Sequence, residues 1–186
     1  VITYVARNLE PYRGFHIFMR ALPEILRRRP NATVLVVGGD EVSYGRAPPA
    51  GQTYRQMMLK EVQIDTNRVR FLGRIPYNHF VSVLQISSAH IYLTYPFVLS
   101  WSMLEAMSAG CLVIGSRTPP VEEVIVDRVN GMLFDFFSPG ELAAAVDEAL
   151  SDPERMRPIR EAARQTVIDR YDLRSRCLPQ FLALVD

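Results

Sequence analysis

Arg7 and Arg13 stand six positions apart in "ARNLEPYRGF", between a β-branched run and a helical run. Arg7 leaves the end of the first strand. Arg13, with Gly14, falls at or near the start of the first helix. Two guanidiniums beside a helix N-terminus suit a diphosphate, whose oxygens accept paired hydrogen bonds. The alternative is two solvated loop arginines, and an isolated pair would be read that way. Pro11 and Gly14 weigh toward the phosphate, because one fixes the loop and the other lets a ligand approach.

A lone carboxylate, Glu105, sits in the apolar stretch "YPFVLSWSMLEAMSAGCLVIGS" (95–116). Ser102-Met-Leu-Glu105 fits an S-x-x-E capping box, worth about 1 kcal/mol of helix stability. A helix starting at Ser100 would instead put Glu105 in its second turn, pointing back toward the strand ends. There a carboxylate can accept hydrogen bonds from two vicinal hydroxyls, such as those of a ribose. The residues alone leave both readings open.

Other candidates carry less. "VVGGD" (36–40) places two glycines after a strand, but neither a full G-x-G-x-x-G fingerprint nor a Walker A sequence occurs. His16, His79 and His90 lack metal-site spacing and are read as core or surface residues. Glu122-Glu123 start a helix, where acids complement the dipole. Trp101 and the Phe136-Phe137 pair are read as packing rather than sugar stacking. Arg27-Arg28-Arg29 are read as solvated cations at a helix C-terminus, with a membrane-surface contact as the alternative.

Strands and helices alternate to position these groups. Strand-like runs are "VITYVA", "ATVLVVGG" (32–39), "VRFLG" (69–73), "AHIYLTY" (89–95) and "CLVIGS" (111–116). "VNGMLFDF" (129–136) is read as an Asn-Gly turn and a short strand. Helical spacing marks 14–28 (with Pro23 inside), about 53–65, 76–87 with Pro76 at the first helical position, and 101–109. The tail is helical over 138–151, 152–170 and 173–184, with Ser138 and Glu141 as a capping box. Residues 40–53 form a long polar loop. Such alternation predicts a doubly wound α/β domain, a parallel sheet with helices on both faces. Ligands on such sheets bind at the carboxyl ends of the strands. That edge holds Arg7, Gly38-Gly39, Gly73-Arg74, Tyr95 to Ser100 and Ser116 to Pro120.

Composition bounds the function. The chain has 186 residues, 48% hydrophobic and 22% charged, with net charge +1. One domain with a real core fits that length. The balance excludes a broad basic field for nucleic acid. Cys111 and Cys177 form no disulfide framework, and both are read as reduced, buried thiols of a cytosolic protein. Peripheral membrane association of the full-length protein stays an open alternative. The strand pattern begins at Val1, so the chain is read as a piece of a longer protein.

Four segments, "YVARNLEPYRGFHIFMRALPEIL", "VRFLGRIP", "YLTYPFVLSWSMLEAMSAGCLVIGS" and "VNGMLFDFFSPGELAAAV", together resemble the C-terminal, donor-binding half of a glycosyltransferase family 4 enzyme. That family has the GT-B architecture, two Rossmann-like domains facing across a cleft. The resemblance covers nearly the whole chain. It implies that Arg7 and Arg13 match the basic pair holding the donor diphosphate, next to Gly14. It places Glu105 at the second glutamate of an E-x7-E motif, on the nucleotide ribose. Gly73 and Arg74 fall where backbone meets the base, and Val98, Leu99 and Ser100 in the loop whose amides face sugar or phosphate. Eight residues before Glu105, where the family carries its first glutamate, stands Phe97. That departure puts the usual donor sugar in doubt.

The resulting expectation is a transferase moving a sugar from a nucleotide-diphosphate donor to an acceptor hydroxyl, on a saccharide or lipid-linked saccharide. Catalysis would come from Arg7, Arg13 and a helix N-terminus stabilising the departing diphosphate. No cofactor or metal is called for. An N-terminal acceptor domain would complete the site, so the fragment alone is expected to bind nucleotide and turn nothing over. A nucleotide-sugar epimerase and a binding-only module are the alternatives.

Overall fold

A computed structural model describes residues 1–96 and 98–184. Six parallel strands make one sheet: β1 (Ile2–Asn8), β2 (Val34–Gly39), β3 (Val69–Gly73), β4 (Ala89–Tyr92), β5 (Val113–Ser116) and β6 (Met132–Phe134). Their order is β3-β2-β1-β4-β5-β6. The order reverses direction between β1 and β4, the switch point where doubly wound sheets open a crevice.

Helices α1 (Phe15–Arg28), α2 (Tyr54–Glu61), α3 (Tyr77–Gln85), α4 (Trp101–Ser108) and α5 (Pro119–Glu122) fill the connections, and α6 (Pro139–Ser151), α7 (Pro153–Tyr171) and α8 (Leu178–Leu182) follow β6. Period-two alternation sends each strand's side chains to both faces. Ile2, Tyr4, Ala6, Ala89, Ile91 and Leu93 pack with α1 and α6. Tyr92 and Val113 pack with α3, α4 and α7 on the other side. Tyr4 lies stacked on Phe18 at 4.5 Å, and its hydroxyl donates to the Arg13 carbonyl at 2.5 Å. Among the described residues no helix is long and apolar enough to cross a membrane.

Several local expectations change. The β4 segment stops at Tyr92, and residues 93–96 become loop. Pro76 is the N-cap of α3 rather than its first helical residue, and α1 continues through Pro23. Asn130 makes no hairpin, because β5 and β6 are parallel. It is buried instead, accepting from Val126 N at 2.7 Å and donating to Val124 O and Thr166 Oγ1, each at 3.0 Å. Ser138 does cap α6, accepting from Glu141 N at 3.2 Å, but the Glu141 carboxylate turns to Asp135 N at 3.0 Å. The arginines closing α1 are not simply solvated. Arg27 and Arg28 pair with Glu24, while Arg29 reaches Asp147 of α6 at 2.6 Å. Cys177 is half-buried rather than buried. Trp101 and Phe137 are 80% and 68% exposed, so neither is core packing, although Phe136 is.

Candidate functional site

The β1–β4 junction is closed by short-range polar contacts. Gly14 is the N-cap of α1, with φ of 68°. The Arg13 side chain is buried and donates to Thr94 Oγ1 at 3.1 Å and to the Val98 carbonyl at 3.0 Å. It also lies over the Tyr44 ring, 5.2 Å from its centroid. The backbone adds Tyr95 N to Tyr12 O at 3.0 Å. Arg13 thus fastens the loop after β4 to the loop after β1.

Glu10 does the same for the long loop after β2. Its carboxylate is fully buried and accepts from the amides of Ser43, Tyr44 and Gly45, the last two at 3.1 Å. Charge-assisted bonds of this kind hold a Gly- and Pro-rich loop that has little apolar packing of its own. Nothing in the sequence near Glu10 announces this role, since its partners lie more than thirty residues away.

Arg7 is exposed and lines a cleft of about 470 Å³ with Val37, Gly38, Arg74, Ile75 and Tyr77. The cleft lies over the carboxyl ends of β1, β2 and β3. Arg74 follows Gly73, whose φ is 67°, and donates to Asn8 Oδ1 at 3.0 Å and to Glu41. Its ion pair with Glu41 is largely exposed, so it holds Arg74 weakly. A second, smaller cavity joins Arg7 and Arg74 with Ser43 and Tyr44. Arg7 and Arg74 therefore share a wall, while Arg13 supports the neighbouring loop.

Ser100 is the N-cap of α4, accepting from Ser102 N, so Glu105 lies in the second turn and the Ser102 capping box does not form. The Glu105 carboxylate lies close enough to the Tyr77 phenol to hold its pKa above the usual range. Tyr77 also lines the Arg7 cleft, which links Glu105 to it. The other flank of Glu105, with Leu99 and Ser100, faces an apolar cavity of about 490 Å³ under the C-terminal helices. Ser100 N is taken by the buried Tyr92 hydroxyl at 2.7 Å. Val98 is exposed, and its carbonyl serves Arg13. Phe97, the position of the sugar departure, lies outside the described residues.

Sequence reasoning missed Tyr77, Glu10 and Tyr92. Only Tyr77 left a signal, since it opens the helix directly after Gly73-Arg74 on the binding edge. Among the described residues no group of three or more His, Cys, Asp or Glu side chains could hold a metal ion.

Comparison with known proteins agrees with this architecture. The model of the family "Glycosyl transferases group 1" matches residues 1–166. The chain is 29% identical over 156 residues to the D-inositol 3-phosphate glycosyltransferase of Corynebacterium efficiens, covering 83% of this chain and 35% of that protein. It is 29% identical over 164 residues to a phosphatidylinositol N-acetylglucosaminyltransferase component of Arabidopsis thaliana, covering 84% and 34%. The chain thus spans about a third of the length of these relatives. Anabaena Alr3699/HepE, solved in complex with UDP-glucose, superposes with a TM-score of 0.77 at 21% identity, over 92% of this chain and 45% of that one. The C-terminal domain of the group 1 protein LpcC from Francisella tularensis superposes with a TM-score of 0.78 at 22% identity, over 93% and 87%. With its family model matched along most of its length, the chain belongs to the glycosyl transferases of group 1.

Proposed function

We propose that this chain is the donor-binding half of a family 4 glycosyltransferase. It binds a nucleotide-diphosphate sugar and presents it to an acceptor hydroxyl. An N-terminal domain of the same protein supplies the acceptor, so the fragment alone is inactive. The observation that carries the reading is the Arg7 cleft at the carboxyl edge of the sheet, linked through Tyr77 to Glu105. Arg7 and Arg74 offer forked donors to phosphate oxygens, and developing charge on a leaving diphosphate strengthens such bonds in the transition state. Arg13 keeps the adjoining loop in place and faces the same junction. Glu105 stands beside the Tyr77 phenol, and its carboxylate can accept a ribose hydroxyl. The relatives named for D-inositol 3-phosphate and phosphatidylinositol support a polyol or lipid-linked acceptor.

Titration calorimetry with uridine, guanosine and adenosine diphosphates tests this, each beside its nucleoside. Arg7→Ala should weaken the bound diphosphate by about 1.5–3 kcal/mol, the worth of a charged hydrogen bond, and leave the nucleoside nearly unaffected. Equal losses for diphosphate and nucleoside would remove Arg7 from the role.

Glu105→Gln tests the ribose contact. Its expected effect is weaker binding of the ribonucleotide, with the 2′-deoxy analogue binding weakly to wild type and variant alike. Since Glu105 lies beyond the first turn of α4, the variant should melt within a degree or two of wild type. Unchanged affinity for the ribonucleotide would sink the assignment.

A further inference from the structure

Beside the Arg7 cleft, the loops after β1, β2 and β3 enclose a polar cavity of about 260 Å³. Two of its side chains are aimed by one buried amide. Asn8 is 3% exposed. Its Oδ1 accepts from Arg74 at 3.0 Å, and its Nδ2 donates to Ser43 Oγ at 2.7 Å. Arg74 carries only donors, which fixes the end of the amide that is oxygen. Ser43 Oγ must therefore accept from Asn8, and its own hydroxyl hydrogen has no acceptor among the described residues. Arg74 bonds Asn8 and Glu41 through the same nitrogen, Nη2, so Nη1 and Nε are unused. Arg7 is exposed and has no hydrogen-bond or ion-pair partner among the described residues.

Two further features hold this geometry. Gly39, at the end of β2, leaves room for the Asn8–Arg74 contact. A Cβ there would stand 2.6 Å from Asn8 Oδ1 and 2.7 Å from Arg74 Nε. Glu10, fully buried, holds Ser43 through its backbone amide at 3.2 Å. Glu10 does not line the cavity, and its charge is met by three amides. The acid that does line it is Glu41, whose side chain is 70% exposed and paired with Arg74. Two guanidiniums against one carboxylate leave the wall net positive.

The wall selects the occupant. A cation meets a positive surface. An apolar group would strip water from Arg7 and Ser43 without replacing its bonds. One guanidinium fork satisfies a planar carboxylate, whereas donors arriving from three loops suit a tetrahedral oxyanion, which accepts from several directions.

We propose that this cavity is a phosphate subsite: Ser43 donates its hydroxyl, Arg7 and Arg74 their unused N–H groups, and Glu41 is a built-in competitor that the phosphate displaces from Arg74. The phosphate is the sugar-side phosphate of the donor or one carried by the acceptor. That pair of sources rests on the glycosyl-transfer reading, whereas the chemistry of the cavity does not.

Titration of the full-length protein with inorganic phosphate, at fixed pH and ionic strength, tests the proposal. Binding is followed by the NMR amide signals of Ser43 and Tyr44. Wild type should show a saturable shift. Affinity should fall at least about tenfold in Arg7→Ala and at least about threefold in Ser43→Ala, as hydrogen bonds to a charged group are lost. Glu41→Gln should bind phosphate more tightly, by about twofold or more, since an exposed ion pair no longer competes for Arg74. A Glu41 that merely orients Arg74 would give the opposite sign. Glu41 is exposed, so its variant folds and carries the test even where Ser43→Ala is unstable. Repeating the titration with saturating uridine or guanosine diphosphate separates the sources. Loss of the phosphate signal assigns the subsite to the donor, and its persistence assigns it to the acceptor. A wild type that binds phosphate but neither nucleotide would sink the donor reading and leave the subsite standing. No saturable shift in wild type, unchanged affinity in folded Ser43→Ala, or equal or weaker affinity in Glu41→Gln would overturn it.

Discussion

Replacing Gly14 with alanine should cost roughly 2–5 kcal/mol of folding free energy. Two separate penalties combine. Gly14 has φ of 68° and ψ of 16°, a left-handed conformation that costs a residue with a Cβ about 1–2 kcal/mol. A Cβ there would also stand 2.4 Å from Leu93 Cβ and 3.0 Å from its Cγ. Leu93 is buried, so it has little room to withdraw, and overpacking of that kind costs about 1–3 kcal/mol. Against a typical stability of about 5–15 kcal/mol, the loss is large. Urea denaturation of Gly14→Ala, of Leu93→Gly, which removes the Cβ standing nearest, and of the double variant checks it. The steric part should be relieved in the double variant, giving a favourable coupling of at least about 1 kcal/mol, while the backbone part stays. Strictly additive single variants would show that the two residues do not press on each other. The glycine therefore lets the entry to α1 pack closely against the chain leaving β4.

The second large effect is acid sensitivity centred on His90. Its imidazole is fully buried on the α3–α4 side of the sheet, with Nδ1 bonded to Thr3 Oγ1 at 2.9 Å and Nε2 without a hydrogen-bond partner among the described residues. Burial penalises the charged form and pushes its pKa down from 6.5 to about 4. The unfolded chain therefore binds the proton first as pH falls, and stability drops with pH between about 6.5 and 4. Between pH 7 and pH 5 the His90 contribution falls by about 2 kcal/mol, before carboxylates titrate appreciably. His16, also lowered, adds in the same direction. Denaturation curves at pH 7, 6 and 5 for wild type and His90→Asn check it. The variant should start less stable but show a visibly flatter pH dependence. Parallel slopes in the two proteins would acquit His90.

How much of this was readable follows from the reach of each interaction. The strands declare themselves because β-branched runs such as Val34–Val37 must be buried on both faces of a parallel sheet. The start of α4 was readable from Ser100, because an N-cap is a contact between neighbours in sequence. Arg7 and Gly73-Arg74 were legible by the rule that strand ends carry the site. Contacts between loops were not. Glu10 reads as an ordinary acid until the loop at 43–45 folds onto it, and Arg13 reads as a cation for a diphosphate, its bonds to residues 94 and 98 invisible until the loops meet. Asn130-Gly131 misled because the dipeptide's hairpin preference yields to burial of the Asn side chain against α7. Exposure of Trp101 and Phe137 escaped for a similar reason, since periodicity marks apolar residues without saying whether another surface covers them.

The strand order has a consequence during synthesis. β1 lies at the centre of the sheet, yet its partners are made at very different times. Ile2 pairs with Val34 on one side and with Ala89 on the other. At about 5–20 residues per second, a ribosome needs roughly 4–17 seconds after Ile2 to reach Ala89. Throughout that interval the nascent chain holds at most β1, β2 and β3, with the second edge of β1 unpaired. That edge will be the buried centre of the finished sheet, and until then it is a template for any other extended segment. A chaperone or the ribosome surface has its strongest reason to engage this domain before β4 emerges.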